Sequence, residues 1–234
     1  MTQSQKKFFG TGLPGVDPAT LRGKLIVIEG SDGSGRTTHI NLLRDWLERS
    51  GYATAEVGLK RSTLVAEELD QAKQGNILGP LTLTLFYATD FADQLENKII
   101  PALRSSFIVL ADRYIYTMMA RAIVRKLDPE WVKQIYNIAL IPDAVFYLEV
   151  PPKVLAERIH RKNQLLDYWE SGMDIIHSGD MYASFIRYQR QMVVEFKKMQ
   201  KIYGFDVING NRSPKLVNKD LQAKIQGILG NGKD

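Results

Sequence analysis

The chain has 234 residues, of which 44% are hydrophobic and 24% charged, a composition that excludes collagen-like, low-complexity and disordered chains. Its 31 lysines and arginines exceed its 26 aspartates and glutamates, and the net charge of +5 suits anion binding but falls far short of a nucleic-acid-coating tail. The absence of cysteine excludes disulfides and cysteine nucleophiles, and three scattered histidines cannot form a zinc cluster of the usual spacing.

The first 22 residues are polar and contain three glycines and two prolines. We predict that residues 1–22 form an extension laid over the surface or partly mobile, ahead of one domain over residues 23–234. The stretch Gly10-Thr11-Gly12-Leu13-Pro14-Gly15 has the spacing of a dinucleotide-binding loop. No strand precedes it and a proline lies inside it, so we interpret it as a turn.

From residue 24 onward, short apolar runs alternate with longer amphipathic segments. The predicted strands cover residues 25–29, 53–57, 107–111, 144–149 and 205–208. The predicted helices cover residues 37–49, 63–74, 80–104, 113–126, 130–139, 152–162, 180–201 and 214–228. This alternation predicts a three-layer α/β fold with parallel strands joined by right-handed crossovers. The longest apolar runs have only the length of strands, and we expect a cytoplasmic protein with no membrane span and no secretory signal.

The strongest local signal is the glycine-rich segment that follows the first predicted strand and opens the first predicted helix. It reads Gly30-Ser31-Asp32-Gly33-Ser34-Gly35-Arg36-Thr37-Thr38. Its glycines let backbone N–H groups turn toward a phosphate, and the helix N-terminus adds partial positive charge. We predict a phosphate-binding loop with Thr37 as a Mg²⁺ ligand, although Arg36 replaces the lysine of the usual pattern. The alternative is a glycine-rich turn without a ligand.

A carboxylate ends the predicted strand that would lie beside this loop. Asp112 follows the apolar run Phe107-Ile108-Val109-Leu110-Ala111. An aspartate at a strand end is common, but beside a phosphate-binding loop it has the position of the residue that helps hold Mg²⁺. We therefore predict that Asp112 and Thr37 share a metal site.

Taken together, these pieces resemble the thymidylate kinase family of nucleoside monophosphate kinases, from about residue 24 to about residue 201. The pieces are Ile28-Glu29-Gly30-Ser31-Asp32-Gly33-Ser34-Gly35, Leu85-Phe86-Tyr87-Ala88, Asp112-Arg113-Tyr114, Leu140-Ile141-Pro142-Asp143 and Tyr147-Leu148-Glu149-Val150-Pro151-Pro152. The resemblance implies Mg²⁺-assisted phosphoryl transfer from ATP to a nucleoside monophosphate. It also implies a P-loop kinase fold with a five-stranded parallel sheet, a small mobile lid at about 158–180 and a homodimer.

The resemblance also implies the residues that hold the acceptor. Asp32 resembles the carboxylate near the acceptor's sugar hydroxyl, and Arg61 and Arg113 resemble the arginines that face its phosphate. Phe86 has the position of the ring that stacks on the base, and Tyr116 is expected to line the same pocket. The alternatives are a surface position for Arg61 and core positions for the two aromatic residues.

A cation for the transferred phosphate is expected near the lid. Arg158, Arg161 and Lys162 lie on the predicted helix that runs into it, and their alternative is a solvated helix end. Family lids often continue with an Asp-Arg pair where this chain has Asp167-Tyr168. Members without lid arginines usually carry an arginine where this chain has Gly33. Arg36 together with Arg158 or Arg161 would have to supply the catalytic cation.

Asp90 is a second departure from the family pattern. The family typically has an arginine here, which donates to the thymine carbonyl. An ionised carboxylate would oppose that carbonyl and favour an exocyclic amino group, so we hypothesise an altered or relaxed base preference. The alternative is an ion pair between Asp90 and a cation such as Lys98.

The departures at Arg36 and Asp90 leave a second function open. The chain could be a catalytically weak or inactive nucleotide-binding protein that acts by interaction or regulation. Nucleic-acid binding is not expected, because the basic residues are spread along the chain instead of forming a stripe.

Overall fold

The central sheet is formed by the apolar runs of the sequence. The computed structural model describes residues 6–75, 78–162, 164–176 and 179–230, and within them five parallel strands form one sheet in the order β2-β3-β1-β4-β5. The strands are β1 (Lys24–Glu29), β2 (Thr54–Gly58), β3 (Ile108–Asp112), β4 (Ala144–Glu149) and β5 (Asp206–Asn209). Almost every side chain of β1 and β3 is buried, as expected for central strands covered on both faces.

Helices connect the strands and cover both faces of the sheet. Their bounds are α1 (Arg36–Arg49), α2 (Ala66–Gln74), α3 (Pro80–Gln94), α4 (Ile100–Arg104), α5 (Ile115–Val124), α6 (Pro129–Ile135), α7 (Pro152–Arg161), α8 (Met181–Tyr203) and α9 (Pro214–Leu229). A short 3₁₀ helix covers Pro18–Thr20, and a π-helical turn over Leu95–Ile99 joins α3 to α4. Several helices begin at a proline, whose missing N–H costs nothing in a first turn.

Two hydrophobic clusters fill the spaces on either side of the sheet. On one face, α1 and α9 pack against alternate residues of the strands, for example Ile26 and Ile28 of β1. On the other face, Leu25 and Val27 of the same strand contact a larger cluster built from α3, α4, α5 and α8. The predicted three-layer α/β fold is therefore confirmed. Among the described residues, no helix combines the length and the apolar character that a membrane crossing requires.

The predicted elements are found close to their expected bounds, with three informative differences. The segment predicted as one helix over 80–104 contains the π-helical turn. The helix predicted over 113–126 begins only at Ile115, because Arg113 has a backbone φ of 72° that no right-handed helix accepts. The helix predicted over 63–74 begins at Ala66, and residues 63–65 form a turn in which the Ser62 hydroxyl accepts the N–H groups of Leu64 and Val65.

The described part of the N-terminal extension is tied to the loop before β4. Phe8 forms an antiparallel bridge with Leu140, and the Phe9 N–H donates to the Ala139 carbonyl over 2.9 Å. The Lys6 ammonium forms an ion pair with Asp143. The stretch over residues 10–15 contains a turn, closed by a hydrogen bond from the Val16 N–H to the Leu13 carbonyl over 3.2 Å, and it does not lead directly into an α-helix, in agreement with its interpretation from the sequence.

An aromatic cluster joins this extension to the core and corrects one prediction. The Tyr116 ring lies 6.0 Å from Phe9 and 4.6 Å from Phe205, and Tyr203 completes the group. Tyr116 is only 1% exposed, so its ring has no surface to offer a substrate. The prediction that Tyr116 lines the acceptor pocket is therefore wrong, because the first turn of α5 directs this side chain into the core.

The docking of the extension predicts a measurable stabilisation. Phe9→Ala removes edge-to-face contacts with Tyr116 and Tyr203 and leaves a partly closed cavity. We expect a loss of about 2 kcal/mol in the free energy of unfolding, below the range for a fully buried phenylalanine. Urea denaturation measures the loss, and Leu216→Ala on the exposed face of α9 is the control. Equal effects of the two variants would show that the extension contributes nothing specific.

Candidate active site

The phosphate-binding loop lies between the carboxyl end of β1 and the first turn of α1. Gly35 precedes that helix with a φ of 95°, a conformation that disfavours any side chain. Gly33 has a φ of 82°, and a Cβ at this position would lie 2.8 Å from the Leu155 carbonyl of α7. The close approach of α7 therefore explains why this loop has no arginine at Gly33.

The Arg36 side chain is buried and holds the loop in shape. Its Nε donates to the Asp112 carboxylate over 2.8 Å, and one terminal nitrogen donates to the carbonyls of Gly30 and Ser31, the latter over 2.6 Å. The other terminal nitrogen reaches Asp32 at 3.2 Å. A lysine ammonium could not span these acceptors, because they are arranged around a planar fork. Arg36 thus replaces the usual lysine with a residue that binds the loop and its neighbouring strand together.

Thr37 and Asp112, the two predicted Mg²⁺ ligands, contact each other. The Thr37 hydroxyl donates to the Asp112 carboxylate over 2.8 Å, at the point where β3 ends beside β1. Burial would raise the pKa of Asp112, but the guanidinium groups of Arg36 and Arg113 outweigh burial and hold the pKa below its usual value. A charged carboxylate beside a hydroxyl fits Mg²⁺, which protein sites bind through one or two carboxylates together with water and substrate phosphates.

A cavity of about 560 Å³ opens beside the loop and extends toward the lid. Its lining includes Asp32, Gly33, Gly35, Arg36, Thr37 and Thr38 of the loop, and Lys162, Gln164, Asp167 and Glu170 of the lid region. The remaining loop residues, Gly30, Ser31 and Ser34, are buried behind this surface. The volume suits a nucleotide-sized ligand. The buried Arg36 side chain lies at the base of the loop, and the cavity beside it stays open for a phosphate chain.

Two of the predicted acceptor-binding arginines meet at the same edge of the sheet. Arg113 forms an ion pair with Asp32, and its strained backbone is held by a 3.0 Å hydrogen bond from its N–H to the Ile28 carbonyl. Arg61 follows β2, contacts Glu56 and lies 4.0 Å from the Asp112 carboxylate. The carboxyl ends of β1, β2 and β3 therefore bring together Asp32, Arg61 and Arg113, three of the residues that the resemblance associates with the acceptor.

The remaining predicted residues differ in how close they lie to the phosphate-binding loop. Phe86 is half-buried on α3 and packs against the larger core cluster, which leaves part of its ring accessible. Arg158 donates to the Gly33 carbonyl at 3.5 Å and to the Gly210 carbonyl at 3.0 Å, so it supports the loop from the side of α7. Arg161 is 78% exposed beside Glu157, and no contact brings it to the loop. Its role as a catalytic cation stays a prediction without a supporting contact.

Asp90 is almost completely buried, and its carboxylate faces the protein backbone. It accepts the N–H of Lys60 at 2.9 Å and the N–H of Ser62 at 2.8 Å. Burial raises the pKa of Asp90, and these donors partly oppose the rise. The alternative of an ion pair with Lys98 is not found, because the Lys98 ammonium donates to the Arg61 carbonyl.

Residues that the sequence analysis missed anchor the lid region. In the described part of the expected lid, from which residues 163, 177 and 178 are excluded, Glu170 pairs with Arg121 and Asp174 pairs with Arg125 at 2.7 Å. Both arginines are buried, Arg121 on α5 and Arg125 directly after the last residue of that helix, and Arg125 also donates to the Trp169 carbonyl. The available signal was two arginines four residues apart in a mostly apolar stretch of sequence, because buried charges need partners.

Glu29 is a further residue to which the sequence analysis assigned no role. It is fully buried at the end of β1 and accepts hydrogen bonds from the N–H groups of Tyr114 and Thr117 and from the Thr117 hydroxyl. Burial raises the pKa of Glu29, and these donors oppose that effect. The carboxyl group thus fixes the start of α5 and, with it, the adjacent Arg113.

Comparisons with known proteins agree with the geometry. The family model described as Thymidylate kinase matches residues 28–201. "Probable thymidylate kinase 2" of Saccharolobus solfataricus is 38% identical over 213 residues, which are 90% of this chain and 97% of that protein. "Thymidylate kinase" of Thermoanaerobacter sp. strain X514 is 30% identical over 215 residues, which are 89% of this chain and 100% of that protein.

The buried ion pairs of the lid region predict a large effect on stability. Asp174→Asn leaves the Arg125 guanidinium buried without its carboxylate, which costs about 3–5 kcal/mol of unfolding free energy. Glu130→Gln breaks the exposed Lys133–Glu130 pair and should change the free energy of unfolding by at most about 0.5 kcal/mol. Urea denaturation compares the two variants, and limited proteolysis tests whether residues 164–176 become accessible only in the first. Equal stability of both variants would contradict the anchoring role.

Proposed function

Because the chain belongs to the thymidylate kinase family of nucleoside monophosphate kinases, we propose that it transfers the γ-phosphoryl group of ATP to dTMP or a related nucleotide. The observation that carries this proposal is the contact between Thr37 and Asp112 beside the cavity of the phosphate-binding loop. A hydroxyl and a charged carboxylate that meet next to a glycine-rich loop suit a nucleotide with its Mg²⁺.

The residues at this edge support catalysis by positioning and charge. The phosphate of a nucleoside monophosphate has its second pKa near ~6, so at neutral pH it is mostly a dianion and needs no general base. In this proposal Arg61 and Arg113 orient that dianion, and Arg36 keeps the loop that would receive the donor phosphates in shape. Thr37 and Asp112 would hold Mg²⁺ together with ATP, and the bound ion would supply positive charge against the transferring group.

The stacking of the acceptor base on Phe86 is part of the same proposal. The half-buried ring on α3 is held by the core on one side and accessible on the other. Stacking of a base on an aromatic ring contributes about 1–3 kcal/mol and does not select between bases. The preference for a base must then come from polar groups around the ring.

The hypothesis of an altered base preference through Asp90 stays a prediction. Both carboxylate oxygens of Asp90 already accept backbone N–H groups, so an amino group of the base would have to compete with them. A panel of natural monophosphates with Mg-ATP tests the hypothesis. It holds where an amino-bearing acceptor such as dCMP is used at least as well as dTMP, and it fails where dTMP far outpaces every amino-bearing acceptor.

A second candidate function is nucleotide binding with little or no turnover. The observation that favours it is the saturation of Arg36, whose guanidinium already contacts two carbonyls and two carboxylates. An arginine so engaged has less freedom to follow the transferring phosphate. Tight ATP binding without diphosphate product on any acceptor would select this candidate, and product from one acceptor would select the kinase.

The family also supports two further parts of the proposal, a homodimer and a cytoplasmic location. Sedimentation equilibrium measures the first, where a mass close to twice 26.5 kDa is expected. A monomer at micromolar concentration would contradict it.

Arg36 provides the sharpest test of the phosphate-binding loop. Arg36→Ala removes the only side chain found to bridge the loop carbonyls and Asp112 among the described residues, so we expect ATP affinity to fall at least about tenfold. Arg36→Lys keeps the charge near the Gly30 and Ser31 carbonyls and should retain ATP binding. Isothermal titration calorimetry measures both, with Arg44→Ala in an exposed ion pair as the control. If both Arg36 variants bind ATP like the parent, the loop is not the nucleotide site.

A further inference from the structure

One face of the helical segment from α3 into the π-helical turn binds a single loop through its polar side chains. The loop is the segment over residues 58–63, which begins at the last residue of β2 and carries Arg61. Asp90, Asp93 and Gln94 share a helix face because they are spaced by three and four residues, and Lys98 extends it by four more. Each of these four side chains contacts a backbone or side-chain group of the loop, so the loop conformation is determined by polar contacts from one direction.

The carboxylates of this face bind the second half of the loop. Asp90 accepts the N–H groups of Lys60 and Ser62, one on each oxygen. Asp93 accepts the Ser62 hydroxyl at 2.6 Å and the Thr63 N–H at 3.2 Å. The carboxylate of Asp93 is itself oriented by Asn97, which donates to its other oxygen over 2.8 Å.

The amide and ammonium groups bind the carbonyls of the loop. The Gln94 amide donates to the Gly58 carbonyl over 2.7 Å, and its oxygen accepts the Gly58 N–H over 3.1 Å. The Lys98 ammonium donates to the Arg61 carbonyl. Backbone donors and acceptors at both ends of the loop are thereby satisfied by α3 and the π-helical turn. Single π-helical turns within helices often occur at functional sites.

The loop that these contacts hold contains a strained backbone residue, Lys60, directly before a candidate site residue, Arg61. Lys60 has a φ of 59°, which costs free energy in a residue other than glycine and persists only where surrounding contacts enforce it. The next residue is Arg61, whose guanidinium lies between Glu56 and Asp112 at the edge of the candidate active site. The strain therefore falls immediately before the one side chain of the loop that reaches the Asp112 carboxylate.

We propose that Asp90 is a positioning residue for the acceptor phosphate: by binding the Lys60 and Ser62 N–H groups it aims Arg61 at a phosphate monoester dianion bound beside Asp112. The inference rests on the proposed function for the identity of the acceptor. It assigns to Asp90 a role through Arg61 and not a contact with the base. Because both oxygens of the carboxylate are used, an isosteric amide cannot replace them.

A double-mutant cycle separates these two roles. Asp90→Asn puts an amide donor against one of the two N–H groups, and we expect the Kd and KM for dTMP to rise about tenfold while the KM for ATP stays within about twofold. Arg61→Ala should raise the same constants. If Asp90 acts through Arg61, Asp90→Asn in the Arg61→Ala background has no further effect on dTMP binding.

The matched control changes the same loop without touching its backbone. Asp70→Asn removes the exposed ion pair with the Lys60 ammonium and should leave every constant within about twofold of the parent. Lys98→Met removes the contact that the same helix face makes with the Arg61 carbonyl. It should raise the KM for dTMP in the same direction as Asp90→Asn, and it serves where Asp90→Asn does not fold.

The outcomes distinguish a failure of this inference from a failure of the proposed function. Additive effects in the double mutant, or a loss that differs between dTMP and dCMP, would show that Asp90 acts on the base and would overturn the inference. Unchanged dTMP affinity in both Asp90→Asn and Lys98→Met would also overturn it. Binding of dTMP by the parent without phosphoryl transfer would contradict only the proposed function, because calorimetry still completes the cycle.

Discussion

The hydrogen bonds of Arg36 are the constraint on which the candidate active site depends. Its guanidinium connects the carbonyls of Gly30 and Ser31 to the carboxylate of Asp112, and so joins the phosphate-binding loop of β1 to the end of β3. A point charge in this position would satisfy fewer acceptors, and the carboxylate would then be buried without its planar partner. The arginine in place of the usual lysine therefore makes the loop more rigid, but its guanidinium is fixed by these contacts and is less mobile than a lysine ammonium.

Around this contact, positive and negative side chains are paired before any substrate arrives. Arg113 is paired with Asp32, and Arg121 is paired with Glu170, whose carboxylate also lies 3.9 Å from Arg113. Asp32 and Glu170 both line the cavity. A polyanionic nucleotide must compete with these carboxylates for the guanidinium groups, since unpaired charges in such a site are costly. Substrate binding is thus an exchange of anions around fixed cations.

Much of the fold was predictable because its signals are local. The apolar runs of β1 and β3, the glycines of the phosphate-binding loop and the carboxylate that ends β3 are each contained in a short stretch of sequence, and each has a short-range physical meaning. The pairs Arg121–Glu170 and Arg125–Asp174 could not be found in this way, because they join α5 to a segment about fifty residues later. Tyr116 was misplaced for a related reason, since its partner Phe9 lies in the N-terminal extension.

At Asp90 the role that the family pattern suggests differs from the contacts that the side chain makes. Its position in the sequence suggests a contact with the base, yet its buried carboxylate meets the backbone of the loop after β2. A buried carboxylate needs donors, and two backbone N–H groups at a strained turn supply them without an arginine or a lysine. The same aspartate that loses a contact with the substrate gains control over the neighbouring Arg61. The affinity for the acceptor phosphate then depends on how firmly the loop is held, so a change at Asp90 would reach the acceptor through the backbone of the loop without any contact with the base.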